Sequence, residues 1–156
     1  MPTTLIVYDS YFGNTEMVAH VVSKALDGDV QVKRPSDVSV EALHELDYLI
    51  VGAPTRGFRP SDAIKVFLKS IPAGALKGVK VAAFDTRMDP QEVGNPILKV
   101  MAGIFGYAAE PIAKSLVKKG GEPAGEPAGF VVLGSEGPLR EGELDRAAEW
   151  AKSLME

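Results

Sequence analysis

Short continuous apolar runs alternate with stretches of helical periodicity along the chain, and that alternation predicts a parallel sheet covered by helices. The first run, Thr4 to Tyr8, has no polar alternation, as expected of a strand buried on both faces. Beyond a short polar loop, Met17, Val18, Val21, Val22, Ala25 and Leu26 share one helical face, and Asp27-Gly28-Asp29 ends that helix. Val30 to Lys33 reads as a shorter, more polar strand near an edge, followed by a helical turn around Val40, Leu43 and Leu46. Tyr48 to Gly52 is again continuously apolar and central. The next loop, Ala53 to Pro60, is rich in proline and glycine, and Ser61 and Asp62 cap a helix with Ile64, Phe67, Leu68 and Ile71 inward.

Val79 to Phe84 predicts a fourth strand, with a loop from Asp85 to Gly94 after it. Asn95 and Pro96 open a helix that turns Ile97, Leu98, Met101, Ile104 and Phe105 inward. The last strand reads as divided, Pro111 to Val117 and Phe130 to Leu133. Between the halves, Gly-Glu-Pro-Ala occurs twice in succession, at 121–124 and 125–128, a composition that predicts a mobile surface loop. Leu144, Ala147, Ala148, Ala151 and Leu154 mark the closing helix. Five strands and four full helices in this order predict an α/β, doubly wound three-layer sandwich. Its ligands belong at the carboxyl ends of the strands, in the loops after strands one, three and four.

Composition narrows the chemistry. The 156 residues are expected to form one domain spanning 1–156. Without cysteine, disulfides, Cys-ligated metals, iron–sulfur clusters and thiol catalysis drop out together, and His20 and His44 alone supply a metal site poorly. A net charge of −4 with no basic run speaks against nucleic acid as a partner. No apolar run approaches the ~20 residues of a membrane span, and no signal-peptide pattern opens the chain, so the expected compartment is cytoplasmic. Any redox chemistry would then belong to a bound cofactor.

The segment from Ser10 to Thr15 lies between a strand and a helix N-terminus, where unpaired N–H groups and the helix dipole both favour an anion. Ser10 and Thr15 add hydroxyls, Gly13 permits close approach, and Asn14 suits an unusual dihedral or a cap. No Gly-Lys-Ser/Thr follows, and no G-x-G-x-x-G is present. An ordinary strand-to-helix turn is the plainer reading of the same residues.

Strand, Ser10-x-x-Gly13-Asn14-Thr15, amphipathic helix resembles the phosphate loop of flavodoxins and flavodoxin-like FMN proteins, and Gly52-Ala-Pro54-Thr55-Arg56-Gly57 resembles their second flavin loop. Gly137-Pro138-Leu139 and the closing helix fall where that fold ends. The resemblance implies a five-stranded sheet in the order 2-1-3-4-5 and FMN as cofactor. The phosphate would be held by the N–H groups of Tyr11, Phe12, Gly13, Asn14 and Thr15 with the Ser10 and Thr15 hydroxyls. Phe12 stands where typical flavodoxins have a second hydroxyl residue, which removes one phosphate contact. Pro54, Thr55, Arg56, Gly57 and Phe58 would lie along the isoalloxazine, Phe58 stacking on one face or anchoring its loop. Asp85, Thr86, Arg87 and Met88 take the place of a loop that usually carries a stacking tyrosine. They would contact the ribityl chain or the ring, or form a solvated Asp–Arg pair.

Arg56, Arg59 and Arg87 all come from these two loops. One cation about 7 Å from the reduced ring would favour its anion by about 2 kcal/mol, or ~100 mV upward for one electron, so a potential above that of a typical flavodoxin is expected. The implied function is electron transfer with no catalytic side chain and no metal, between redox partner proteins. The alternatives are a reductase taking hydride from a nicotinamide to a small quinone, and a flavin-free interaction module of the same fold. A phosphoacceptor receiver would need an aspartate at the end of strand three, where Gly52-Ala53-Pro54 stands.

Overall fold

The computed structural model describes residues 2–55, 59–88, 97 and 107–156. In chain order the elements are β1 (Thr3–Tyr8), α1 (Asn14–Ala25), β2 (Asp29–Lys33), two 3-10 turns (Pro35–Asp37 and Val40–Glu45), β3 (Tyr48–Pro54), α2 (Asp62–Ser70) and β4 (Lys80–Met88). Then come α3 (Ala109–Lys118), β5 (Glu122–Pro123), β6 (Ala128–Val132) and α4 (Glu143–Ser153). The pairings between these strands are parallel. The order is β2-β1-β3-β4-β5, with β6 also paired to β4. The doubly wound sheet and its order are those the sequence implied.

Period-two alternation in the strands divides the core into two faces. Leu5, Val7, Leu49, Val51, Val81 and Ala83 pack toward Ile64, Phe67 and Leu68 of α2 and Ala109, Ile112 and Leu116 of α3. Ile6, Tyr8, Ile50, Ala82, Phe84 and Phe130 pack toward Val18, Ala19 and Val22 of α1 and Ala147 and Ala151 of α4. The second face is closed by three aromatic rings in edge-on contact: Phe84 is 6.3 Å from Phe130 and 5.9 Å from Trp150, centroid to centroid. The Phe84 ring occupies the space a side chain at Gly52 would need, since a Cβ there would fall 2.1 Å from it.

The fold corrects the sequence reading in five places. Pro111 to Val117 is helical: it lies in α3, whose buried residues Ala109, Ile112 and Leu116 recur at helical spacing, with Pro111 in the first turn where a missing N–H costs nothing. The divided strand exists, but its halves are β5 and β6, which both extend along β4. The Gly-Glu-Pro-Ala repeat therefore builds this sheet position. The Ala124 N–H donates to the Val81 carbonyl at 2.8 Å, and a Cβ on Gly121 would strike Val81 at 2.5 Å. Asp85 to Met88 continues β4, its ladder with Ala128 to Val132 extending the strand beyond Phe84. On α1 the buried stripe runs through Val18, Ala19 and Val22, leaving Met17 at 43% exposure. Ile97, placed inward by periodicity, is 69% exposed. The predicted partners Leu98, Met101, Ile104 and Phe105 lie outside the described residues, as do Asn95 and Pro96.

Candidate functional site

At the carboxyl ends of β1, β3, β4 and β6 the structure forms a cleft of about 430 Å³. Its wall on the α1 side is the loop after β1. Gly13 holds φ 92°, the left-handed conformation that lets the chain turn into α1, and its carbonyl accepts the first helical bond from the Met17 N–H at 3.0 Å. The Gly13 N–H donates to Ser10 Oγ at 3.0 Å, so this amide is used inside the loop rather than turned to the cleft. The amides of Asn14, Thr15 and Glu16 sit in the first helical turn, where no helical carbonyl reaches them.

Further contacts fix the loop from behind. The Ser10 N–H donates to Asp9 Oδ1 at 2.9 Å, and Arg34 holds the same Asp9 oxygen at 3.2 Å while its guanidinium lies 5.0 Å from the Tyr8 ring. The Tyr8 hydroxyl donates to Glu16 at 2.7 Å. Burial first, then this hydrogen bond and the Glu16 charge, push the Tyr8 phenol up from its ordinary value, with Arg34 acting in the opposite sense. Asn14 Nδ2 donates to the Glu136 carbonyl at 3.1 Å, tying the loop to the turn after β6.

β4 supplies the floor. Alternation sends successive side chains to opposite faces. Thr86 turns toward α1, where its hydroxyl and that of Thr15 share a buried 2.7 Å hydrogen bond. Asp85 and Arg87 turn toward α3. Asp85 is fully buried and accepts two 2.7 Å bonds from Arg87 and one of 2.8 Å from the Ala109 N–H at the start of α3. Burial pushes its carboxyl above the ordinary carboxylate value, while the Arg87 bonds and charge and the Ala109 amide hold it down. Arg87 also lies over the Tyr107 ring, 3.9 Å from its centre, and a Cβ on Gly129 would collide with its guanidinium.

Ten of the fifteen residues singled out in the sequence line the cleft: Ser10, Tyr11, Phe12, Asn14, Thr15, Pro54, Thr55, Thr86, Arg87 and Met88. Gly13 shapes the loop without lining the cleft, and Asp85 is buried behind it. Arg56, Gly57 and Phe58 lie outside the described residues. Two lining residues, Val132 and Ser135, were missed by the sequence reading. They follow the last strand, and the strand-end rule that selected the other loops applies equally to Gly134-Ser135-Glu136-Gly137. The folding-back of this turn, with Arg140 N–H on the Val131 carbonyl at 2.8 Å and Leu133 N–H on that of Pro138 at 2.9 Å, brings Ser135 to the cleft.

The expectation of three flavin-side cations changes as well. Two parallel 2.7 Å bonds are the geometry of a guanidinium facing an ionised carboxylate, so the charge of Arg87 is compensated by Asp85. Arg59 lines a different cleft. Arg56 is outside the described residues. The argument for a raised potential therefore loses two of its three supports.

Among the described lining residues none is a carboxylate, and hydroxyls of Ser10, Thr15, Thr55, Thr86 and Ser135 alternate with apolar surface from Phe12, Pro54, Met88 and Val132. A helix N-terminus flanked by hydroxyls, in a cleft whose described lining holds no carboxylate, suits a phosphate, and the adjoining apolar and hydroxyl surface suits a flat, partly polar ring system. The residues present fit FMN. Among the described residues no group of three or more His, Cys, Asp or Glu is arranged to hold a metal.

Comparison with known proteins agrees with this geometry. A family model described as flavodoxin domain matches residues 5–92, more than half of the chain. Over 91 residues the chain is 36% identical to a flavodoxin of Maridesulfovibrio salexigens, a match spanning 54% of this chain and 62% of that relative. Among solved structures, flavodoxin 2 from Bacillus cereus superposes with a TM-score of 0.72 at 24% identity, covering 98% of this chain and 97% of its own. The Streptococcus pneumonia TIGR4 flavodoxin gives 0.73 at 20%, with coverage of 98% and 97%. At such identities the structural likeness establishes the fold. The family pattern runs from β1 past the end of β4, through the loops that build the cleft, and the chain belongs to the flavodoxin domain family, whose cofactor is FMN.

Proposed function

We propose that this protein binds FMN in the cleft at the strand ends and carries electrons between redox partner proteins. The observation that carries the reading is the convergence on one cleft of the α1 N-terminus, the Ser10 and Thr15 hydroxyls, Thr55 and Thr86, with no carboxylate among the described lining residues. In this reading Ser10, Asn14 and Thr15 hold the phosphate, with the amides of Tyr11 and Phe12. The 50% exposed Phe12 ring contributes only its amide and apolar cover there. Pro54, Thr55, Met88 and Val132 border the ring system. When bound, FMN supplies the reversible gain and loss of electrons. The chain orients it, covers part of it from water and sets the charge around it.

The paired state of Arg87 supports a carrier whose potential is not raised by that residue. Among the described residues the side chains lining the cleft include no carboxylate or histidine. Oxidoreductase turnover of a nicotinamide with a quinone is the competing activity. Among the described residues no helix is long and apolar enough to cross a membrane.

The test is titration of apoprotein with FMN, followed by flavin fluorescence. Quenching with one FMN per chain is expected, together with a yellow holoprotein and no NAD(P)H oxidation when a quinone is added. The Thr15→Val variant is expected to bind FMN about fivefold more weakly, as for one lost hydrogen bond of about 1 kcal/mol. A colourless protein that leaves FMN fluorescence unchanged would overturn the proposal.

A further inference from the structure

A second cleft, of about 500 Å³, lies between α2 and α3 and differs from the first in charge. Arg59, Lys65, Lys69, Lys118 and Lys119 line it, and among the described lining residues no carboxylate faces them. Lys119 donates to the Ile71 carbonyl at 2.6 Å, and Lys65 lies 3.5 Å from the exposed Asp62. Arg59, Lys69 and Lys118 have no carboxylate partner within the fold among the described residues. From Arg59 to Ser70 and from Ala109 to Lys119 the chain carries six cations and two carboxylates, although its total charge is −4. The positive charge is thus concentrated on one side of an acidic protein, the side facing away from α1 and α4.

Its position matters as much as its sign. Pro54 and Thr55 line the first cleft, and Arg59 and Pro60, at the end of the same loop, line the second. α3 is tied to that loop where the Ala108 N–H donates to Thr55 Oγ1 at 3.1 Å. A partner seated between α2 and α3 would therefore rest against the loop that borders the flavin.

Resting on the FMN reading for this proximity, we propose that the α2–α3 cleft is a docking site for an acidic segment of a redox partner protein, rich in Asp and Glu and interspersed with apolar side chains. The cations supply the charge complement, and such exposed charges set association rate and orientation. Leu68 and Pro111 supply apolar surface between them, and Val66 (68% exposed) and Val117 (44% exposed) project from the same two helices. Apolar contacts of this kind suit a protein. Single-stranded nucleic acid would call for aromatic stacking platforms, and among the described lining residues none is aromatic.

The experiment uses the full-length holoprotein and a fluorescein-labelled peptide of repeated Glu-Glu-Leu, followed by anisotropy at several salt concentrations. The wild-type protein is expected to bind the peptide with affinity that falls as salt rises. The double variant Lys69→Glu/Lys118→Glu is expected to bind about tenfold more weakly, while Lys152→Glu on α4 leaves binding unchanged. FMN fluorescence quenching, measured on all three proteins, is expected to be the same. A loss of quenching would count against the flavin reading, whereas peptide binding reports on the cleft alone. The proposal is overturned if the wild type does not bind the peptide, if the double variant binds it as well as the wild type, or if oligothymidylate or tripolyphosphate binds more tightly than the peptide.

Discussion

Asp85 and Glu143 are buried carboxylates on opposite faces of one sheet, each joining a strand to a helix N-terminus, yet their surroundings act on them in opposite directions. Asp85 serves the α3 side with one guanidinium and one amide. Glu143 serves the α4 side: it accepts from the Val131 N–H at 2.6 Å, from Arg146 Nε at 3.1 Å and Nη2 at 2.7 Å, and from Arg140 at 3.2 Å. Burial works to raise both. At Glu143 the Arg146 and Val131 hydrogen bonds, with the charge of Arg146 and the Arg140 bond, outweigh burial and leave the carboxyl below its ordinary value. At Asp85 burial prevails. Burial alone therefore does not say whether a carboxylate is stabilising. The number of charged donors around it decides.

The α4 side also depends more on close packing, which gives the largest expected effect. Gly52→Ala would push a methyl into the Phe84 ring and through it into Phe130 and Trp150. A loss of about 2–3 kcal/mol is expected, read by urea denaturation. An unchanged midpoint would show that the aromatic group is loosely packed.

Next in size are the neutral isosteres of the two acids. Glu143→Gln removes an ionised form that the fold favours and leaves Arg146 without its carboxylate, so a loss of about 2 kcal/mol is expected. Asp85→Asn also leaves Arg87 without its carboxylate but removes a charge that burial disfavours, so a smaller loss, about 1 kcal/mol, is expected. The comparison fails if the order is reversed.

The smallest effect is in the pH dependence. Because the folded state lowers Glu143, its contribution is present above the unfolded value near ~4.3 and is lost as pH falls through its lower folded value. Asp85, raised on folding, contributes below about 3.9, and that contribution is lost as pH rises through its folded value. Urea midpoints between acid and neutral pH should thus lose acid-side slope in Glu143→Gln. In Asp85→Asn the midpoint should fall less as pH rises.

Much of the architecture is legible in the residues. Continuous apolar runs place β1, β3 and most of β4. Ser10 to Thr15 reads as the turn from β1 into α1 because Gly13 and a helix start are local properties. The misreadings share a cause. Pro111 to Val117 offers both strand-like and helical spacings, and only packing of Ile112 and Leu116 under the sheet selects the helix. The Gly-Glu-Pro-Ala repeat resembles a loop because its short, polar residues carry little apolar signal. It is held in the sheet by backbone bonds to Val79 and Val81, which sequence does not display. Asp85 to Met88 looks like loop because it is polar. It extends β4 because β6 pairs with it and because Asp85 and Arg87 satisfy each other on one face while Thr86 finds Thr15 on the other.

The sequence by itself determined the α/β alternation, the loop after β1 and the absence of thiol chemistry, because strand runs, helix starts and composition are written in neighbouring residues. Tertiary structure alone decided which charges remain available. It paired Arg87 with Asp85 and gathered Arg59 with lysines more than fifty positions away into a second cleft. The physical reason is that charge acts through space and burial, and residues distant in the chain become partners only when helices and strands bring them within a few ångströms.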